Sequence, residues 1–202
     1  MEQNKYLDDL ATIKTMMSRS SRFISLSGFS GVLAGIYALI GAWFAREELQ
    51  SLVLSNYTTI TETIWNLWFI AIAVALFSIV TAYVLTSRRA KSNNEKIWDI
   101  STQKLLVAFL TPLVSGGVFG LIVLYQGYYG LIAAITLIFY GLALINASKY
   151  TLGTVKYLGV SEVIVGLFAA FYIGYGLQFW AIGFGFLHIV YGLVMYFRYE
   201  RK

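Results

Sequence analysis

Cysteine is absent from the 202 residues, proline and histidine each occur once, as Pro112 and His188, and charged side chains make up only 12%. Without cysteine there is no disulfide, no thiolate chemistry and no cysteine-ligated metal, and the redox compartment goes unread. With a single proline, nothing interrupts long helices. A zinc or iron site needs three or four protein ligands, and one histidine with a single carboxylate in reach falls short, so no metal and no cofactor are expected. No phosphate loop, dinucleotide fingerprint or catalytic triad occurs, so the chain does not read as an enzyme. What fills it is apolar. Hydrophobic residues are 58% of the chain and the mean hydropathy is +0.70, more than a water-soluble domain can bury.

Six apolar runs are each long enough for a hydrocarbon core of about 30 Å: residues 23–45, 64–85, 105–125, 128–147, 157–174 and 177–197. In lipid every backbone polar group must be paired internally, and runs this long and apolar on all sides are helices, not barrel strands. The predicted fold is therefore all-α, a polytopic membrane protein of six transmembrane helices. The first run is too long for a signal-peptide core and follows a polar segment, 1–22, so it is expected to stay as a span.

Lysine and arginine give the orientation, because they are retained on the cytoplasmic side. Fourteen of the fifteen precede the first span, follow the second or fourth, or end the chain; only Arg46 lies on the other side, with Glu47, Glu48 and Glu62. Both termini are thus expected in the cytoplasm of a bacterial inner membrane. Trp43, Trp65, Trp68, Tyr125, Tyr128, Tyr129, Tyr175 and Trp180 cluster at the opposite interface, where amphipathic rings prefer to sit. The net charge of +5 would suit nucleic acid only if gathered on one open face; here it is spread between spans, and no nucleic-acid partner is expected. Asn56-Tyr-Thr fits a glycosylation pattern by coincidence in a chain of bacterial character.

Short turns at Gln126-Gly127 and Tyr175-Gly176 make spans three and four, and five and six, antiparallel neighbours, so the spans read as three hairpins. Ser30-Gly-Val-Leu-Ala-Gly35, Ser115-Gly-Gly-Val-Phe-Gly120 and Ser161-Glu-Val-Ile-Val-Gly166 repeat serine and glycine five apart, which marks Ser30, Gly35, Ser115, Gly120, Ser161 and Gly166 as helix-contact positions. Phe139-Tyr-Gly-Leu142 is echoed by Val190-Tyr-Gly-Leu193, while span two has no glycine. Six spans in three glycine-bearing hairpins, closed by Ile189-Val-Tyr-Gly-Leu-Val-Met-Tyr-Phe-Arg198, resemble the HdeD-like acid-resistance membrane proteins of short repeats. That resemblance implies a stress-linked membrane protein and carries over no catalytic residue.

Glu162 and His188 are the candidate intramembrane polar site. An ionisable group inside a span costs about 2.5–3.5 kcal/mol on insertion scales, so it faces a partner or a cavity. Their depths along spans five and six differ by roughly 6 Å at 1.5 Å per residue. The bland alternative has Glu162 snorkelling to the interface beside Lys156 and His188 packed as a core residue. Gly28-Phe-Ser30-Gly spells the GxSG of rhomboid proteases, with His188 as partner, but Ser30 sits in the first span near its inner end, the wrong place for that chemistry. In residues 1–22, Tyr6, Leu10, Ile13 and Met17 recur at helical spacing opposite Lys5, Asp8, Asp9, Lys14 and Arg19. Such a helix lies on the bilayer or, with loop 86–104 and its Trp98, docks a cytoplasmic protein or a second copy of the chain. The function readings are a non-enzymatic stress or signalling protein working through these segments, a small carrier or channel around Glu162 and His188, and, remotely, an intramembrane serine protease using Ser30 and His188.

Overall fold

The computed structural model describes Tyr6, Leu10 and residues 26–54, 59–92 and 97–201, and among these there is no sheet. Of the amphipathic segment only Tyr6 and Leu10 fall within the described residues, both helical and exposed; the rest of 1–22, together with Asn56, lies outside them. We number the helices α1 (Gly28–Leu54), α2 (Ile60–Ser92), α3 (Ile100–Tyr125), α4 (Ile132–Ala147) and α5 (Val155–Phe171). The last, α6, begins as Gly176–Trp180, widens to a π-helix over Ala181–Leu187, returns to α-helix over His188–Met195 and ends in a second π stretch, Tyr196–Glu200.

Five of these helices are long and apolar enough to cross a membrane, counting the 3-10 turn at Tyr129–Leu131 with α4 and the one at Ile173–Tyr175 with α6. The remaining one, α5, has 17 residues, about 26 Å of helix, just under the core thickness. The chain is a multi-pass helical membrane protein.

Local chemistry explains where helices start and stop. Thr59 and Glu62 form a reciprocal capping box ahead of α2: the Glu62 carboxylate accepts from the Thr59 amide at 2.9 Å and the Thr59 hydroxyl accepts from the Glu62 amide at 3.2 Å. Asp99 caps α3 through the Thr102 amide at 2.7 Å. The α3–α4 turn closes with Tyr128 N–H donating to the Val123 carbonyl and Gly127 N–H to that of Leu124, around a left-handed Gly127 at φ +86°. That is a Schellman closure, and the left-handed residue is where glycine costs nothing.

Pro112 lies inside α3. It has no N–H for the carbonyl four residues back, which would leave Ala108 orphaned in an apolar setting. The Asn146 amide of α4 donates to that carbonyl at 2.8 Å. The proline is thereby paired with a specific asparagine across the helix interface.

Adjacent spans α1 and α2 pack together, as do α3 and α4. The third expected hairpin is weaker: α5 packs mainly along α4, and α6 mainly along α1. Glycine placement is the reason. A Cβ at Gly141 would stand 2.6 Å from the Gly159 carbonyl oxygen, and one at Gly159 would stand 2.7 Å from that of Gly141, so α4 and α5 touch backbone to backbone. The α1–α6 contact is of the same kind, with Gly35 2.6 Å from the Gly185 carbonyl and Gly192 2.6 Å from that of Gly28. Without glycine, α2 stays peripheral, and only Thr63 and Ala90 along it are buried.

Candidate functional site

Three helices meet around one polar cluster. Glu162 of α5 is wholly buried, at 0% exposure, and His188 of α6 is buried beside it. The carboxylate does not reach the interface. Instead Glu162 Oε1 lies 3.3 Å from His188 Nδ1. That nitrogen is 3.1 Å from the Gly183 carbonyl oxygen, and Nε2 is 2.8 Å from the Tyr140 hydroxyl of α4.

The Gly183 carbonyl can only accept, so Nδ1 carries a proton. In the neutral ring Nε2 is then the acceptor and the Tyr140 hydroxyl donates to it; in the imidazolium both nitrogens donate and Tyr140 must accept. The site therefore has two hydrogen-bonding states that differ by one proton. Although Glu162 lies within ion-pair distance of Nδ1, the ring N–H is directed at Gly183, and both carboxylate oxygens are without a hydrogen-bond partner. A buried carboxylate in that condition is expensive unless a cation faces it.

Two features of α6 make room for this arrangement. The π-helix over Ala181–Leu187 ends immediately before His188, and such widened turns occur frequently at functional sites. A Cβ at Gly183 would stand 2.5 Å from Glu162 Oε2 and would also meet Leu137 Cδ2, so a larger residue there would require both side chains to move. The imidazole is also walled by rings, with Phe184 stacked at 6.0 Å and 23° and Tyr140 at 5.5 Å between centroids.

Two clusters of buried side chains flank the site, the second also including Tyr140 and Tyr191. Ala134, Leu137 and Ala169, with Val165, Phe179 and Phe184 against them, lie on one side; Leu144, Val155 and Leu158, with Phe109, Leu152 and Leu187, lie on the other.

The helix-contact positions divide. Gly35 meets Gly185 and Ile189, and Gly166 meets Ile138 and Leu137. Gly120 has only Ile135 Cγ2 at 3.6 Å, an ordinary distance, and the tight position on α3 is Gly116, over the Phe139 ring. Ser115 is exposed and donates to Thr111 in its own helix, Ser161 is half-buried, and buried Ser30 donates to the Ser27 carbonyl at 2.6 Å. Ser30 and His188 are not joined, since the hydroxyl and both ring nitrogens are engaged elsewhere.

A second polar cluster lies where α1 starts, α2 ends and α6 ends. Arg89 Nη1 binds Glu200 Oε1 and the Leu26 carbonyl, each at 2.6 Å, and Nη2 binds the Tyr199 carbonyl at 3.0 Å. Glu200 also accepts from the Gly28 amide. Residue-by-residue reading of the sequence missed this clasp, because Arg89 is one of several basic residues after span two and nothing in their spacing distinguishes it. It also missed Tyr140, although the Phe139–Leu142 echo had set it level with Tyr191. No known family, curated protein or solved structure matches the chain.

Proposed function

We propose that this chain is a non-enzymatic membrane protein whose Glu162–His188–Tyr140 centre binds and releases a proton and passes its state to the ends of the helices. The observation that carries the reading is the fully buried Glu162 carboxylate whose nearest polar partner is a histidine with both nitrogens engaged. Adding or removing one proton there reverses the Tyr140 hydrogen bond and changes whether Glu162 faces a cation. Each helix of the α4–α5–α6 contact contributes one member, so the change acts on their packing.

The few polar side chains around the site, Tyr140 and Tyr191 among largely apolar neighbours, favour a proton over a solute, because a carrier or channel path needs polar groups along its length. Among the described residues Tyr191 of α6 packs in the same neighbourhood. On this reading the termini are cytoplasmic in a bacterial inner membrane, as the distribution of basic residues favours. The output then runs along α6 from His188 to Glu200, about 18 Å at 1.5 Å per residue, where Arg89 ties α6 to α1 and α2. A cytoplasmic partner or second copy would read that end, and the resemblance to acid-resistance proteins is consistent with a stress role.

Infrared difference spectra between acidic and neutral pH test this. The parent should show an imidazole ring band that disappears in His188→Gln and shifts in Tyr140→Phe, with an accompanying carboxylate shift that is lost in Glu162→Gln. Identical pH difference spectra for the parent and Glu162→Gln would remove the proposal.

A further inference from the structure

The two clusters that flank the proton centre differ in chemistry. Towards the α3–α4 turn lie Ala134, Leu137 and Ala169, each at most 2% exposed, with the Phe179 and Phe184 rings against them. Among the described residues no side chain of this cluster can accept a proton and pass it on. The Thr136 hydroxyl nearby donates within its own helix, and Trp180, against Phe184, has a ring N–H that can only donate. Tyr172, stacked on Phe179, is exposed.

The cluster towards the α4–α5 connection carries hydroxyls. Tyr140 and Tyr191 pack against the same buried Leu144, Val155 and Leu158. Tyr191 follows His188 by three residues on α6, so it shares that face and lies about 4.5 Å nearer the end of the helix. Its hydroxyl is 3.4 Å from that of Thr154. Thr154 is half-buried in the connection beside exposed Gly153, and its own O–H donates to Met195 Sδ at 3.4 Å, which leaves its lone pairs for Tyr191. The ionisable groups around this row are Tyr140 of α4, Glu162 of α5 and, on α6, His188, Tyr191 and Tyr199. Lys149 and Lys156, flanking the connection, are exposed, and α1 and α3 carry no charged residue over 28–45 and 105–125.

Resting on the proton centre inferred above, we propose that protons enter and leave it from the α4–α5 end, through the hydroxyls of Thr154 and Tyr191, so that the protein reads the pH on one side of the membrane. Each hydroxyl takes up one proton and releases its own. Both are thereby regenerated, and one proton is delivered to His188 Nε2, or taken from it, through the Tyr140 hydroxyl. The step between the two tyrosines lies within one cluster and is spanned by a ring rotation or a single water.

His188 is the single histidine of the chain, so nitrogen-15 histidine labelling of the full-length protein in detergent micelles gives a magnetic-resonance signal from this site alone. The ring-nitrogen shifts against pH report whether the centre takes up a proton; exchange of the ring N–H with solvent reports access. Tyr191→Phe should slow that exchange about tenfold or more with the shifts unchanged, since a positioned proton-transfer group contributes roughly 10²–10⁴-fold to such a step and water replaces only part of it. Thr154→Val should slow it too, and the double variant should be no slower than the slower single one, as for two groups in series. A merely structural role predicts the reverse, because lost packing favours local opening and speeds exchange. Parent shifts that do not move with pH would remove the centre and the path together. Shifts that move while Tyr191→Phe exchanges at the parent's rate or faster would leave the centre standing and overturn the path.

Discussion

Gly141→Ala adds one methyl group at the tightest point of the α4–α5 contact. The new Cβ would lie 2.6 Å from the Gly159 carbonyl oxygen and 2.9 Å from the Val163 amide nitrogen. Both are backbone atoms, so no side chain can rotate away and the helices themselves must separate. Overpacking of this kind costs about 1–3 kcal/mol, set against a gain of about 1 kcal/mol for replacing glycine in a helix. Gly120→Ala isolates the second effect, because its Cβ meets only Ile135 Cγ2 at 3.6 Å. The two variants should therefore differ by about 1–3 kcal/mol in unfolding free energy, with Gly141→Ala the less stable. Reversible unfolding in mixed detergent micelles, followed by circular dichroism, measures that gap. Gly159→Ala should behave like Gly141→Ala, and the double variant should cost less than the two together, since the first methyl already opens the contact that the second would strain. Equal stability of Gly141→Ala and Gly120→Ala would show that α4 and α5 do not meet through these glycines.

Glu162→Gln and His188→Gln should each cost about 3–5 kcal/mol, as removal of one partner from a buried pair does, and the double variant should fall well short of the sum; an additive double-mutant cycle would dissolve the pair. Asn146→Leu should destabilise by about 1–3 kcal/mol by stranding the Ala108 carbonyl, and Pro112→Ala in the same chain should recover much of that loss by restoring an N–H inside α3; no recovery would mean Asn146 acts by some other contact. Hydrogen bonds from the Thr59 amide and then the Thr59 hydroxyl hold Glu62 below the ordinary carboxylate range. With the folded value below the unfolded one, the stabilisation is present above the unfolded pKa and is lost as pH falls through the folded one. Amide protection at the start of α2, after correction for the intrinsic pH dependence of exchange, should thus fall on acidification in the parent and be low throughout in Glu62→Ala, with no acid-dependent step; a parent whose protection is flat across that range would refute the capping box.

How much of this could be read from sequence depends on which interactions are local. Span positions follow from runs of apolar residues and the need to pair every backbone group, both properties of a segment by itself. Helix pairing is not local: Tyr175-Gly176 joins α5 to α6 by a short connection, yet α5 packs chiefly on α4, because Gly141 and Gly159 permit a closer approach than α6 can offer along its length. The same limit separates Gly120 from Gly116. The serine-glycine repeat marks Gly120, but Phe139 of the neighbouring helix decides which glycine is needed. Glu162 and His188 stood out because an ionisable group in a span is costly wherever it points, which is a statement about solvation alone. Tyr140 did not stand out, since a tyrosine in a span has no such cost until its hydroxyl is seen against Nε2. Gly183 is the clearest instance. As a sequence it is one of four glycines in α6, and its role becomes visible only when Glu162 of another helix occupies the space its side chain would have taken. A methyl group there should displace the ends of the Glu162 and Leu137 side chains, both of which can rotate, while the helices stay in place, so Gly183→Ala would perturb the site and spare the fold.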